Sequence, residues 1–174
     1  DNERQKEALR NDSKEVAENV MITDLVRNDL AKSAKKGSVK VDELCGVYEF
    51  EHVNQMISTV SAELREDIHP LDAILHAFPM GSMTGAPKIS AMELIDHYEN
   101  FSRGLYSGAV GYFTPDLDFD FNVIIRSILY NEEKKVVTFP TGSAITINSD
   151  PEKEYEECML KAEAMRKVLL NHAK

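Results

Sequence analysis

The stretch Ser149-Asp150-Pro151-Glu152-Lys153-Glu154-Tyr155-Glu156-Glu157-Cys158-Met159-Leu160-Lys161 opens a helix. Ser149 and Asp150 supply the cap and Pro151 fits the first turn, so the spacing predicts a helix to about Asn171. Tyr155, Cys158, Ala162, Met165 and Leu169 recur every three to four residues and form its apolar stripe. Glu154, Glu157 and Lys161 follow the same rhythm one residue away, along the edge of the buried face. Two carboxylates one turn apart suit a hard divalent cation such as Mg²⁺, which takes a few carboxylates plus substrate oxygens and water. A solvated edge with a Glu157–Lys161 salt bridge is the simpler alternative.

Working outward, the first strong helix repeats the pattern. Asp12 followed by Glu15 reads as a capping box, predicting a helix from Ser13 to about Lys36 with Gly37 as its stop. Glu15, Glu18, Ile22, Leu25 and Asp29 share one stripe. A carboxylate beside core residues needs a partner, because an unpaired buried charge is costly. Glu15 is explained by capping; Glu18 is not.

Between these helices, residues 39–64 read as extended, with a β-branched run from Val53 to Val60. His69-Pro70 opens a short helix to about Phe78. The Gly-rich loop Pro79–Gly85 follows, and a helix with Pro87 in its first turn runs to about Tyr98. Strands are expected near 107–113, 121–130, 135–139 and 142–147, with a turn at Asn131–Lys134. This order of elements is α+β, with antiparallel sheet layers flanked by helices, and not a strict βαβ alternation.

The loop Gly81-Ser82-Met83-Thr84-Gly85-Ala86-Pro87-Lys88 leads into a helix N-terminus, where free N–H groups favour an anion and the macrodipole disfavours Lys88. A bound anion would relieve that conflict; an ordinary connection with a solvated lysine is the alternative. Arg126 sits in a buried-looking strand, Phe121 to Ile128, and wants a carboxylate from substrate or from a glutamate. Gly142 and Ser143 could offer backbone N–H groups or form a plain turn. Tyr106 is a hydroxyl donor or a core residue, and the lone His52 is not read as a ligand.

Composition narrows the class. At 43% hydrophobic and 29% charged, the 174 residues suit a soluble globular domain. The longest apolar runs fall short of the ~18 residues of a membrane span. A net charge of −10 argues against nucleic acid and anionic membrane as partners. Cys45 and Cys158 lack metal spacing and read as reduced thiols of a cytoplasmic protein.

Together the motifs resemble the chorismate-binding enzyme family. The residues that carry the resemblance are Glu15 to Leu30, Gly81 to Lys88, Tyr106-Ser107-Gly108-Ala109-Val110-Gly111-Tyr112, Arg126, and Ser149 to Glu157 closing on Lys161. They stand in family order over nearly the whole chain. The family includes component I of anthranilate synthase and of aminodeoxychorismate synthase, and isochorismate and salicylate synthases. The resemblance implies that Glu18 and Glu157 contact Mg²⁺ while Glu15 and Glu154 hold its waters, the metal gripping the ring carboxylate of chorismate. It implies that Arg126 and Tyr106 bind the enolpyruvyl carboxylate with backbone N–H groups near Gly142 and Ser143. Lys88 joins the substrate-binding set. Lys161, near the metal-bound carboxylate, joins Gln55 and Thr84 at the catalytic positions.

The resemblance further implies that residues 1–174 form the C-terminal part of a catalytic domain. The family's upstream Pro-Ile-x-Gly-Thr segment would precede Asp1, leaving this part inactive alone. Gln55 stands where the family usually has histidine, and it can hydrogen-bond but cannot shuttle a proton. A non-catalytic assembly domain is the alternative from another class. Thr84 in Thr-Gly-Ala-Pro-Lys and Ile125-Arg126-Ser127-Ile128 resemble the aminodeoxychorismate branch more than the anthranilate branch. That branch takes ammonia from a glutamine amidotransferase subunit or domain.

Overall fold

Asp12 starts a helix as its side chain dictates, Oδ1 accepting hydrogen bonds from the backbone N–H groups of Lys14 (2.9 Å) and Glu15 (3.0 Å). The computed structural model describes residues 2–51, 53–147 and 149–172, so His52 lies outside the described residues. Before the cap, the polar N-terminal stretch forms α1 (Asn2–Arg10); after it runs α2 (Ser13–Ala31). The ammonium of Lys6 on α1 reaches Glu49 at 3.0 Å and also pairs with Glu3.

α2 stops at Ala31, five residues before the expected end at Lys36. The N–H groups of Ser33 and Ala34 both turn back to the Leu30 carbonyl. Residues 33–35 then leave the helix to pair with 63–65: Lys35 donates to Glu63 O (2.7 Å), Arg65 donates to Ser33 O (3.0 Å), and Ala34 bridges Leu64. A helix through Lys36 would have left those backbone groups without partners. Gly37 still takes positive φ, in the turn beyond this pairing.

The extended region is a hairpin of β1 (Lys40–Glu49) and β2 (Asn54–Ser61), antiparallel from Lys40↔Ser61 to Glu49↔Asn54, with irregular register between Val41 and Gly46. α2 lies on this hairpin. A small polar network joins the two: Asn19 Nδ2 donates to Met56 O, the Ser58 hydroxyl donates to Asn19 Oδ1, and the Cys45 N–H donates to Ser58 Oγ. α3 (Pro70–Ala77) follows, capped by His69, whose Nδ1 accepts from Leu71 N–H. A single 3₁₀ turn at Gly81–Met83 leads to α4 (Lys88–Tyr98). Pro87 is extended (ψ 140°) and caps α4 from outside instead of occupying its first turn.

The contacts gather into two compact units, Asp1–Asn100 and Phe101–Lys174. The second contains the β3 (Ala109–Phe113) and β4 (Phe119–Val123) hairpin, five pairs in antiparallel register from Ala109↔Val123 to Phe113↔Phe119. It also contains the short hairpin of β5 (Leu129–Asn131) and β6 (Val136–Thr138). The expected turn between that pair is present, with Asn131 Oδ1 accepting from Lys134 N–H at 2.8 Å. The strand expected over 121–130 breaks at Val123, and 142–147 is irregular, without strand pairing. The unit closes on α5 (Pro151–His172), whose first N–H groups at Glu152 and Lys153 reach Asp150 Oδ1 at 3.0 and 3.2 Å. Helices and antiparallel two-stranded sheets without a βαβ alternation make the fold α+β, as the order of elements implied.

Candidate active site

On α5 the apolar stripe turns Cys158, Ala162, Met165 and Leu169 inward, with Met165 buried, while Tyr155 is exposed. Glu154, on the edge of that stripe, is only 5% exposed. It is therefore no solvated edge acid. The Ser143 hydroxyl donates to its Oε2, a charge-assisted bond that offsets part of the cost of burying a carboxylate. One turn on, Glu157 pairs with Lys161 in the i,i+4 contact anticipated for this helix. Lys161 Nζ also donates to the Gly142 carbonyl at 3.1 Å. A single helix face thus holds Ser143 through Glu154 and Gly142 through Lys161.

Tyr106 completes this cluster. It is buried, with the Arg103 guanidinium 5.9 Å from its ring centroid. Its hydroxyl presses against Gly142, where an added Cβ would sit 2.8 Å from it. A side chain at 142 would force the Tyr106 hydroxyl to shift. Tyr106, Gly142, Ser143, Glu154, Glu157 and Lys161 come together within the second unit.

Arg126 differs from expectation. It is exposed and lies between β4 and β5, outside any strand, with φ 47°. A left-handed backbone at a non-glycine residue costs of order 1–3 kcal/mol and recurs at binding sites. The side chain is thereby presented outward from an irregular segment instead of packing in a sheet.

In the first unit, Glu15 and Glu18 are half-buried on α2. Glu18 Oε1 is buried, with Lys14 Nζ at 3.7 Å, beyond hydrogen-bond length. Gln55 is exposed on β2, opposite Tyr48 of β1. The Thr84 hydroxyl donates to the Met80 carbonyl at 3.2 Å and so belongs to the loop's own hydrogen bonding.

Protein groups meet the conflict between the charge of Lys88 and the α4 N-terminus. The Lys88 ammonium pairs with Asp29 and donates to Pro79 O (2.7 Å) and Ala77 O (3.3 Å), which occupies all three donors. Asp29 is 4% exposed and also takes Lys32 at 2.9 Å. Asp29 was legible as an acid on the buried stripe of α2; the same need for a partner that singled out Glu18 applied to it. The Asn19–Ser58–Cys45 network carried no sequence signal, because its members lie on three elements with no shared period.

A family model for chorismate binding enzymes matches residues 1–167 of the chain. The chain belongs to the chorismate-binding enzyme family. Within that family it is similar to the aminodeoxychorismate synthase, chloroplastic, of Arabidopsis thaliana, 44% identical over 156 residues. That match covers 90% of this chain and 17% of the plant protein. It is also similar to anthranilate synthase component 1 of Acetivibrio thermocellus, 42% identical over 161 residues, covering 92% of this chain and 32% of that one. Among solved structures, anthranilate synthase component I from Streptococcus pneumoniae TIGR4 superposes with a TM-score of 0.81 at 32% identity. The superposition covers 94% of this chain and 37% of that one. The chain therefore spans about a sixth to a third of the length of these curated chorismate-binding relatives. Among the described residues, no helix is long and apolar enough to cross a membrane.

The donor chemistry of this family member fits Mg²⁺. Glu15, Glu18, Glu154 and Glu157 offer only carboxylate oxygens, the ligands that ion prefers. The burial of Glu154 and of Glu18 Oε1 marks two of them as acids set away from bulk water. Among the described residues, no group of three or more acid, histidine or cysteine side chains gathers as a metal site.

Proposed function

We propose that this chain carries part of the active site of an aminodeoxychorismate synthase component I. In that reaction ammonia replaces the ring hydroxyl of chorismate, water leaves, and the enolpyruvyl group is retained in 4-amino-4-deoxychorismate. The ammonia comes from a glutamine amidotransferase subunit or domain, and the location is cytoplasmic. Relatives of both branches match the chain at nearly equal identity. The preference for this branch rests on Thr84 and on Ile125-Arg126-Ser127-Ile128. Anthranilate synthase component I is the second reading, favoured by the superposed Streptococcus structure.

The observation that carries the proposal is the buried Glu154 with Ser143 on its carboxylate, one turn from the Glu157–Lys161 pair on the Gly142 carbonyl. Glu15, Glu18, Glu154 and Glu157 would hold Mg²⁺, which when bound neutralises a substrate carboxylate in an acidic protein. Ser143 orients Glu154. Lys161 fixes the Gly142 backbone and places a positive charge beside Glu157. Tyr106, held by its fit against Gly142, and the outward Arg126 bind the second carboxylate, the guanidinium with two parallel donors. Gln55 can donate a hydrogen bond to the departing hydroxyl but cannot carry its proton.

Replacing Glu157 with glutamine tests the assignment. Its ion pair with Lys161 is partly exposed, so the variant should keep its melting behaviour to within ~1 kcal/mol. In the full-length protein, chorismate turnover should fall about 100-fold and require more Mg²⁺ for half-activation. Turnover and Mg²⁺ dependence equal to wild type would remove Glu157 from the site.

A further inference from the structure

The buried Asp29–Lys88 contact has no part in the chemistry described above, yet it is built with unusual completeness. Asp29 stands on the last turns of α2, and its two oxygens take Lys88 and Lys32. Lys88 is the first residue of α4, and its ammonium also takes the carbonyls of Ala77 and Pro79. Ala77 is the last residue of α3, so that carbonyl is one of the groups a helix C-terminus leaves unsatisfied. One ammonium therefore ties together the end of α2, the end of α3, the start of α4 and both ends of the loop between α3 and α4.

That loop contains Gly81 and Thr84. Gly81 lies directly on α2, one turn before Asp29, where an added Cβ would stand 2.9 Å from Leu25 Cβ. Within the loop the N–H groups of Met83 and Thr84 bond back to Met80 and Gly81. The loop is thus pressed on α2 at its middle and clasped at its ends.

We propose that Asp29 and Lys88 are a positioning pair that fixes the loop 78–87, and with it Thr84, and that Lys88 does not itself touch substrate. The pair acts through geometry: only a compact ammonium with three divergent donors meets a carboxylate and two carbonyls at once. The effect on turnover rests on the function proposed above; the effect on the loop does not.

The test uses the full-length protein with Lys88→Met and Lys88→Arg, measured by amide hydrogen exchange and by steady-state kinetics with chorismate. Exchange at Met83 and Thr84 should accelerate about tenfold or more in both variants, with the β1–β2 hairpin unchanged. The chorismate KM should stay within about twofold while kcat falls about tenfold, because a displaced loop costs alignment and not substrate affinity. Unchanged loop exchange in either folded variant overturns the proposal, as does a raised KM with unchanged kcat, which would make Lys88 a substrate contact. If Lys88→Met does not fold, Lys88→Arg, which keeps the charge, decides by the same two criteria. If the wild type does not consume chorismate, the proposed function fails, and hydrogen exchange alone still decides whether the clasp exists.

Discussion

At position 142 a single methyl group separates two outcomes. An added Cβ would lie 2.8 Å from the Tyr106 hydroxyl but 3.9 Å from its Cζ, an ordinary contact. Gly142→Ala should therefore destabilise the protein by about 1–3 kcal/mol, as overpacking does. Adding Tyr106→Phe should return most of that loss, and thermal melts of the two single variants and the double variant measure the coupling. Additive losses would mean the hydroxyl is not what glycine makes room for. At this scale much of the candidate site was visible in the chain. Glu154 and Glu157 were marked by their rhythm beside an apolar stripe, and both lie where that rhythm puts them. The carboxylate partner of Lys88 had no local mark because it is 59 positions away, and local electrostatics at a helix N-terminus cannot see a tertiary carboxylate. Arg126 was placed in a strand because its neighbours are β-branched; the positive φ at that residue breaks the run.

Among the elements, α1 depends on a surface tether. The Lys6 amine is raised above the ordinary lysine range, chiefly by its hydrogen bond with Glu3 and then by Glu49. A raised folded-state pKa means the tether is fully present below the unfolded value, about 10.4, and is lost as pH rises through the folded one. α1 should therefore stay docked across neutral pH. Lys6→Met should accelerate amide exchange in α1 there and leave α2 unchanged. Equal exchange in α1 of variant and wild type would show that the tether does not hold the helix. Helix starts were legible because they rest on local chemistry: Asp12, His69 and Asp150 each accept backbone N–H groups as their positions imply. Ends were less so. α2 stops at Ala31 because residues 33–35 find partners at 63–65, a long-range pairing with no local mark.

For the whole molecule, the order of elements indicated α+β, and the order of motifs indicated the family that the comparisons identify. The division into two compact units left no mark in composition, since no Gly- or Pro-rich linker falls near Asn100. The glutamates divide between the units: Glu15 and Glu18 lie in one, Glu154 and Glu157 in the other. The most direct test is to incubate the full-length protein with chorismate and ammonia, with and without Mg²⁺, and identify the product by mass. The account predicts Mg²⁺-dependent loss of chorismate and a product that retains the enolpyruvyl group and carries an amino group in place of the ring hydroxyl. Anthranilate with released pyruvate, or no consumption of chorismate, would contradict it.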